Sequence, residues 1–249
     1  MRIAVAGTQC IGKTTLINDF LKEWPMYKRS GYTYREAVKK LNLPLNKQVT
    51  KSSQRMILEC LKQDVAAAHK GDRIIFDRTP FDNAVYSLWS LGTQSSDIDV
   101  DFIKETAEIV KESMRNIDII FFLPITKVSP VPVENRDMRE TDLIYRTEID
   151  YIFKALSMQA SKGECKFFVR EDAPPIIEIF GTPLERIEMI KLYVNAYGDC
   201  VDTTSSILSN ENITMMETLL NEQKAAGVDE KELKALKDVI VKAKKMPPN

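Results

Sequence analysis

Short apolar runs alternate with longer amphipathic stretches along most of this chain. The runs lie at residues 3–6, 74–76, 117–123 and 176–180, and helical sequence separates each from the next. Near-continuous apolar runs are typical of strands buried on both faces, and strands that alternate with helices pair in parallel. The pattern therefore predicts an α/β fold of three layers, with helices on both faces of a central parallel sheet.

The stretches between the runs carry apolar residues at helical spacing. Residues 51–70 repeat apolar side chains on one face, and Gly71 marks the end of this predicted helix. Another helix opens with Thr79 as its N-cap, Pro80 at its first position and Asp82 in its first turn. Further helices are predicted over residues 101–115, 141–159 and 184–196.

The character of the sequence changes after its last predicted strand and helix. A polar segment leads into two helical stretches that Gly227 separates. We therefore predict a main domain over residues 1–197 and a C-terminal helical hairpin as an appendage over residues 198–249. The apolar residues of the hairpin would pack either on the main domain or on a second subunit, and the second arrangement would make the protein a homodimer.

Charge and cysteine content narrow the class of protein. The chain has 35 basic and 36 acidic residues, so no global positive field attracts nucleic acid, and a nucleic-acid partner is not expected. Its four cysteines form no C-x-x-C pair, which indicates reduced thiols rather than a disulfide framework. The only histidine, His69, leaves little basis for a histidine-dependent triad.

The first apolar run is too short for a signal peptide, and no stretch approaches the roughly 18 apolar residues of a membrane span. We expect a soluble, cytoplasmic protein without membrane contact.

The first apolar run leads directly into the string GTQCIGKT at residues 7–14, which has the pattern G-x-x-x-x-G-K-T. Its glycines allow a backbone whose N–H groups converge on phosphate oxygens, and the following helix adds its positive end. Lys13 would reach the outer phosphates, and the hydroxyl of Thr14 would help to hold Mg²⁺. A chance match in a glycine turn is the alternative, which the flanking strand and helix disfavour. The residues predicted to bind a nucleoside triphosphate are Gly7, Thr8, Gln9, Cys10, Ile11, Gly12, Lys13, Thr14 and Thr15.

A second string, IIFDRT at residues 74–79, places an acidic residue at the end of a predicted strand. Carboxyl ends of parallel strands meet at the edge of the sheet where α/β proteins bind ligands. Asp77 is therefore predicted to hold Mg²⁺ directly or through water; a helix cap is the alternative, but Thr79 fills that position. Arg78 would donate to phosphate or ribose oxygens, unless it makes only a surface ion pair.

A third string, Tyr-Arg-Glu-Ala at residues 34–37, is expected at the end of the second strand. Phosphoryl transfer requires that the acceptor be positioned, because the remaining catalysis is electrostatic. Glu36 is the candidate to bind the acceptor's hydroxyl and to act as base if that hydroxyl attacks. The alternative is a glutamate in the first turn of a helix over residues 36–41.

A fourth string, ENRDMRET at residues 134–141, follows the strand that ends near residue 123. Arg136 and Arg139 would share one face of a helix. A lid over residues 126–146 that carries them onto the transferring phosphoryl group would neutralise charge and exclude water. A solvated charged loop is the alternative, and Arg146 is a weaker candidate for the same role.

Together, the four strings resemble those of the P-loop nucleoside and nucleotide kinases. This superfamily includes thymidylate kinases, deoxynucleoside kinases and the AAA_28 group related to nicotinamide riboside kinase, and the similarity covers about residues 1–197. The resemblance implies acceptor binding by Arg35 and Glu36. It also implies that a helix between the second and third strands faces the acceptor base with Gln54 and Arg55, for which a plain helix surface is the alternative. Residues 181–186 are similar to the loop that lies against the donor adenine.

The leading functional hypothesis is an ATP- and magnesium-dependent kinase that acts on a nucleoside monophosphate or a nucleoside, with the monophosphate slightly favoured. One alternative is a P-loop ATPase switch that acts on a protein partner, although no obvious glutamate follows Asp77 to activate water. A second alternative is a polynucleotide 5′-kinase, which the near-neutral charge disfavours. The predicted catalytic residues are Lys13, Glu36, Arg78, Arg136 and Arg139; the acceptor-binding residues are Arg35, Glu36, Gln54, Arg55 and Arg78; and the metal ligands are Thr14 and Asp77.

Overall fold

The computed structural model describes residues 1–31, 34–126 and 141–201, with the side chains of residues 34–37 excepted. Five parallel strands form one sheet: β1 (Arg2–Ala6), β2 (Lys28–Arg29), β3 (Ile74–Asp77), β4 (Ile119–Phe122) and β5 (Ile176–Glu178). Their order across the sheet is β2-β3-β1-β4-β5. The first strand thus lies at the centre, paired with β3 on one side and with β4 on the other.

Six α-helices and one 3₁₀ turn connect the described strands, and a seventh helix follows the last of them. Side-chain caps begin several of them: Thr50 accepts from the N–H of Ser53 at 3.1 Å, and Asp99 accepts from the N–H of Phe102 at 2.9 Å. The helices are α1 (Lys13–Glu23), α2 (Tyr34–Leu41), α3 (Lys51–Ala66), α4 (Pro80–Thr93), α5 (Val100–Met114), α6 (Leu143–Ser161) and α7 (Pro183–Lys191), with the 3₁₀ turn at Asn46–Gln48.

The sheet separates two apolar layers, because successive residues of a strand point to opposite faces. Ala4 and Ala6 of β1 belong to the layer that contains α4, α5 and α6, whereas Ile3 and Val5 belong to the layer that contains α1 and α7. Every residue of β1 is buried. The predicted three-layer α/β fold with a parallel central sheet is therefore confirmed.

Several predicted boundaries differ from the structure. The helix predicted over 51–70 ends at Ala66, because a turn in which the N–H of His69 donates to Asp72 precedes Gly71. The helix predicted over 184–196 ends at Lys191. The expectation that residues 34–37 end the second strand is wrong: β2 ends at Arg29, and these residues form the first turn of α2, as the alternative had it.

Two predictions lie outside the described residues. These are the hairpin of the C-terminal appendage, with the homodimer that it would form, and most of the lid, including Arg136 and Arg139. None of the helices in the described part of the chain combines the length and the apolar character needed to cross a bilayer.

Candidate active site

The phosphate-binding string forms a tight turn between β1 and α1. Gly7 has a φ of +138° and Gly12 a φ of +89°, and Cys10 between them is also left-handed at +53°. A Cβ atom on Gly7 would lie 2.7 Å from the carbonyl oxygen of Leu123, the residue after β4. Only glycine allows this backbone to pass so close to its neighbour. The loop leads directly into the N-terminus of α1, as the sequence predicts.

Lys13 is buried within this loop. Its Nζ donates to the carbonyl oxygen of Gly7 at 2.8 Å and to that of Thr8 at 2.6 Å. An ammonium group is thus held at the point where the loop closes. The hydroxyl-bearing residues that follow begin α1, with Thr14 half-buried and Thr15 exposed.

Buried polar atoms without hydrogen-bond partners collect at the carboxyl ends of β2 and β3. Oδ1 of Asp77 is one of them, and its Oδ2 lies 4.0 Å from Nη2 of Arg29. Nε and Nη2 of Arg29 are buried and make no hydrogen bond, and the same holds for Oγ1 of Thr79 and Oδ1 of Asp82. Buried polar atoms are nearly always paired in native proteins, so such a cluster indicates a place where a ligand supplies the partners.

Asp82 lies at the centre of this charged group. Its Oδ2 accepts the N–H of Thr79 at 3.0 Å, so the carboxylate caps α4, whereas the hydroxyl of Thr79 does not. Burial raises the pKa of Asp82, while the charges of Arg78 and Lys13 oppose that shift. Because β1 pairs in parallel with β3 and Val5 lies opposite Asp77, the phosphate-binding loop and the end of β3 lie at the same edge of the sheet.

Arg78 adopts an unusual backbone conformation that turns its side chain into the site. Its φ is +81°, in the left-handed region that a non-glycine residue rarely occupies. The buried guanidinium lies 4.9 Å from the ring centre of Tyr86, and its Nη1 is 3.9 Å from Oδ1 of Asp82. The hydroxyl of Tyr86 in turn donates to Oε1 of Gln9 at 2.9 Å. One aromatic residue thus contacts both Arg78 and the phosphate-binding loop.

Gln9 also links the loop to the segment between α2 and α3. Its Nε2 donates to Oδ1 of Asn46 at 2.9 Å. Asn46 lines a cavity of 570 Å³ together with side chains of the same segment and of α2. The side-chain amide of Gln9 therefore connects the phosphate-binding loop to the segment between α2 and α3. These are the two helices that carry the predicted acceptor-binding residues.

The structure separates the two acceptor candidates of α3. Gln54 is buried, and its Oε1 accepts from Nδ2 of Asn83 at 2.5 Å, which turns it toward α4. Arg55 instead pairs with Glu105 of α5, lies 5.5 Å from the ring centre of Phe102 and is largely exposed. The prediction that Arg55 faces the acceptor is therefore corrected to the plain helix surface, because the residue following Gln54 points to a different side of the helix.

The remaining predicted residues fall into two groups. Two have side chains outside the described part, and two contact the phosphate-binding loop. Arg35 and Glu36 lie in the first turn of α2, but their side chains are outside the described part. The segment 181–186 spans the turn before α7 and the first residues of that helix, and its last residue, Arg186, donates to the loop carbonyl of Ile11 at 2.9 Å. Arg146 likewise donates to the carbonyl of Gln9 at 2.9 Å.

Sequence reasoning missed Arg29 and Tyr86. The two-residue strand β2 has no apolar run, so nothing in the sequence marks Arg29 as the end of a strand. Tyr86 could have been found, because Asp82 and Tyr86 have i, i+4 spacing and share a face of α4.

The fold is the architecture of P-loop nucleoside and nucleotide kinases, a parallel sheet with a glycine loop after its central first strand. The AAA_28 family model, an AAA domain, matches residues 2–162, which is more than half of the chain. The chain therefore belongs to the AAA_28 family. No curated protein sequence matches it.

Solved structures of two proteins share the fold. NadR in complex with NAD and AMP-PNP has a TM-score of 0.53 at 13% identity, and the match covers 81% of this chain and 50% of that one. Deoxyadenosine kinase from M. mycoides with bound dATP has a TM-score of 0.53 at 14% identity, covering 77% of this chain and 97% of that one. The chain thus spans half the length of NadR. At these identities the likeness establishes a common fold.

Proposed function

We propose that this protein is an ATP- and magnesium-dependent phosphotransferase that moves the γ-phosphoryl group to a nucleoside monophosphate or a nucleoside. The observation that carries the proposal is the meeting of two features at one edge of the sheet. A glycine loop holds a buried ammonium group, and carboxylate and guanidinium atoms without hydrogen-bond partners lie at the strand ends beside it. A polyphosphate with its metal ion would supply those partners.

The donor half of the proposed site consists of the loop and the start of α1. Backbone N–H groups of residues 7–14 and the helix N-terminus would bind the phosphates. Lys13 would exchange its carbonyl partners, those of Gly7 and Thr8, for oxygens of the β- and γ-phosphates. Its charge would then neutralise charge that develops between the two phosphates as the bond breaks.

The residues present fit Mg²⁺. Oδ1 of Asp77 is a buried carboxylate oxygen without a hydrogen bond, and Thr14 presents a hydroxyl at the start of α1. No group of three or more histidine, cysteine or carboxylate side chains gathers within the described residues. Mg²⁺ commonly needs only one or two protein ligands when phosphates and waters complete its shell. When bound, Mg²⁺ would neutralise part of the negative charge of the phosphates.

The acceptor half would use Arg78, Arg29 and Gln54, together with Arg35 and Glu36. In the reaction the bond from the γ-phosphorus to its bridging oxygen breaks, ADP leaves, and a bond forms to the acceptor oxygen. A monophosphate attacks through a phosphate oxygen that carries no proton to be removed. A nucleoside hydroxyl would pass its proton to Glu36. Arg29 and Arg78 favour the monophosphate, because two guanidinium groups suit a second anion.

Similar structures are consistent with such acceptors. The M. mycoides deoxyadenosine kinase structure holds dCMP and a flexible dCDP as products, with a TM-score of 0.51 at 16% identity. We further propose that Arg136 and Arg139 act from a lid over residues 126–146, that residues 1–197 form the kinase domain, that residues 198–249 form a helical appendage, and that the protein acts in the cytoplasm.

The primary test is a coupled measurement of ADP release with a panel of nucleosides and nucleoside monophosphates. We expect acceptor-dependent turnover that Lys13→Ala reduces severely, and reduced transfer with retained ATP binding in Glu36→Gln. Turnover that requires no acceptor would indicate the ATPase switch instead. Phosphate transfer only to a 5′-hydroxyl oligonucleotide would indicate a polynucleotide kinase, and silence with every acceptor would contradict the proposal.

A paired variant addresses the choice between the two acceptor classes. Arg29→Met should lower kcat/KM for a monophosphate roughly ten- to a hundredfold and change a nucleoside far less, since hydrogen bonds to charged groups contribute about 1.5–3 kcal/mol. Lys28→Met, at the exposed neighbouring position of β2, serves as the control. Equal losses of kcat/KM for both acceptors would show that Arg29 acts only as a charge partner of Asp77.

A further inference from the structure

Two buried arginines from distant parts of the chain hold three consecutive carbonyl groups of the phosphate-binding loop. Arg146 of α6 donates through Nε to the oxygen of Gln9 at 2.9 Å and through Nη2 to that of Cys10 at 3.2 Å. Arg186 of α7 donates through Nη1 to the oxygen of Ile11 at 2.9 Å. We name this pair, Arg146 and Arg186, the arginine clasp.

The clasp determines the direction of the loop's N–H groups. In a trans peptide the C=O and the following N–H point in opposite directions. When the carbonyls of Gln9, Cys10 and Ile11 are turned toward the guanidinium groups, the next three N–H groups point away from them. Those N–H groups belong to Cys10, Ile11 and Gly12, which are the donors that a phosphate-binding loop presents to its ligand.

The clasp also brings positive charge, and within the described residues its hydrogen-bond acceptors are carbonyl oxygens rather than carboxylates. Arg146 is 4% exposed and Arg186 is 5% exposed. Arg186 also donates through Nε to another carbonyl oxygen, that of Gly181, at 2.9 Å. Within the described residues neither arginine forms an ion pair with a carboxylate, although a buried charge normally has such a partner. Burial lowers the pKa of Arg186, yet arginine stays charged at neutral pH. The positive charge of the two guanidinium groups is suited to a polyphosphate in the loop.

We propose that Arg146 and Arg186 are positioning residues for nucleotide binding. They preset the conformation of the phosphate-binding loop from behind and add positive potential to it, without contact with the nucleotide. This inference rests on the proposed donor site. It gives Arg146 and Arg186, which lie outside the phosphate-binding string, a share in the protein's affinity for the phosphates of a nucleotide.

The test measures dissociation constants of ATP, ADP and AMP by titration calorimetry, together with urea unfolding. Arg146→Met and Arg186→Met should each weaken ATP binding roughly ten- to a hundredfold, the range expected when charge-assisted hydrogen bonds are lost. The loss should decrease from ATP to ADP to AMP, because the effect acts through the phosphates. Arg146→Lys should be intermediate, since it keeps the charge but cannot reach two carbonyls.

Arg2→Met is the matched control. Arg2 is also a buried arginine, but it binds Asp118 through Nη2 at 2.7 Å at the amino end of β1, away from the loop. This variant should lower the unfolding midpoint and leave the ATP dissociation constant within about twofold of wild type. If Arg146 and Arg186 contributed only to stability, their variants would also lower the unfolding midpoint and leave the ATP dissociation constant near that of wild type.

The outcomes separate this inference from the function on which it rests. If the wild-type protein binds no triphosphate, the proposed function fails first. If it binds ATP and the folded clasp variants bind equally well, only the clasp is refuted. If the methionine variants do not fold, Arg146→Lys decides; loss of folding in that variant too would assign the arginines to stability and overturn the proposal.

Discussion

Substitution of Gly7 by alanine tests the geometry of the phosphate-binding loop directly. The new Cβ would lie 2.7 Å from the carbonyl oxygen of Leu123, and the residue would have to keep a φ of +138°. The contacted atom belongs to the backbone next to β4, so no side-chain rotation can relieve the clash. The loop must therefore shift away from Leu123 or the end of β4 must move.

The expected cost has two parts. Unfavourable backbone dihedrals cost about 1–3 kcal/mol, and overpacking against buried structure costs about 1–3 kcal/mol. Their sum, about 2–6 kcal/mol, is a large part of the typical unfolding free energy of about 5–15 kcal/mol. A shifted loop would also misplace the N–H groups that bind phosphate, so ATP affinity should fall roughly tenfold or more, equivalent to at least about 1.4 kcal/mol.

Urea unfolding and ATP titration of Gly7→Ala measure both effects. Gly92→Ala is the control, because Gly92 lies in α4 and an added Cβ would meet no heavy atom within 4 Å. That variant should gain about 0.5–1 kcal/mol, as alanine replaces glycine in a helix. If Gly7→Ala unfolds at the wild-type urea concentration and binds ATP equally well, the close approach of Gly7 to Leu123 is refuted.

Two further predictions concern the centre of the site. Burial raises the pKa of Asp82 in the folded state, so wild-type stability should fall as pH rises from the ordinary value of 3.8 through the folded-state value. Asp82→Asn keeps an oxygen for the N–H of Thr79 but cannot titrate, and its unfolding free energy relative to wild type should rise with pH. Tyr86→Phe removes the hydrogen bond to Gln9 and should cost about 1 kcal/mol of stability. Tyr86→Leu also removes the ring beneath Arg78, a further loss of about 0.5–2 kcal/mol that should raise the KM for the acceptor.

Each of these two predictions has a contradicting result. A constant stability difference between Asp82→Asn and wild type across acidic and neutral pH would show that Asp82 does not titrate abnormally. Identical acceptor KM values for Tyr86→Phe and Tyr86→Leu would show that the ring does not orient Arg78.

The extent to which sequence predicts this site varies with the range of the interactions involved. The string at residues 7–14 is local: its glycines, the strand before it and the helix after it are all contiguous, so its conformation follows from neighbouring residues. The position of Asp77 at the end of β3 could be predicted for the same reason. Arg55 could not be placed, because one step along a helix turns a side chain by about 100° and only packing against α5 shows which side faces the neighbour.

The sequence by itself determined the fold class, the phosphate-binding loop and the strand that carries Asp77, because short-range patterns encode them. Only the tertiary structure decided which distant groups meet them. Arg29 reaches Asp77 because β2 pairs with β3, and Arg146 and Arg186 reach the loop because α6 and α7 pack on opposite faces of the sheet. Contacts between residues far apart along the chain depend on the register and packing of the whole sheet, which no local pattern records.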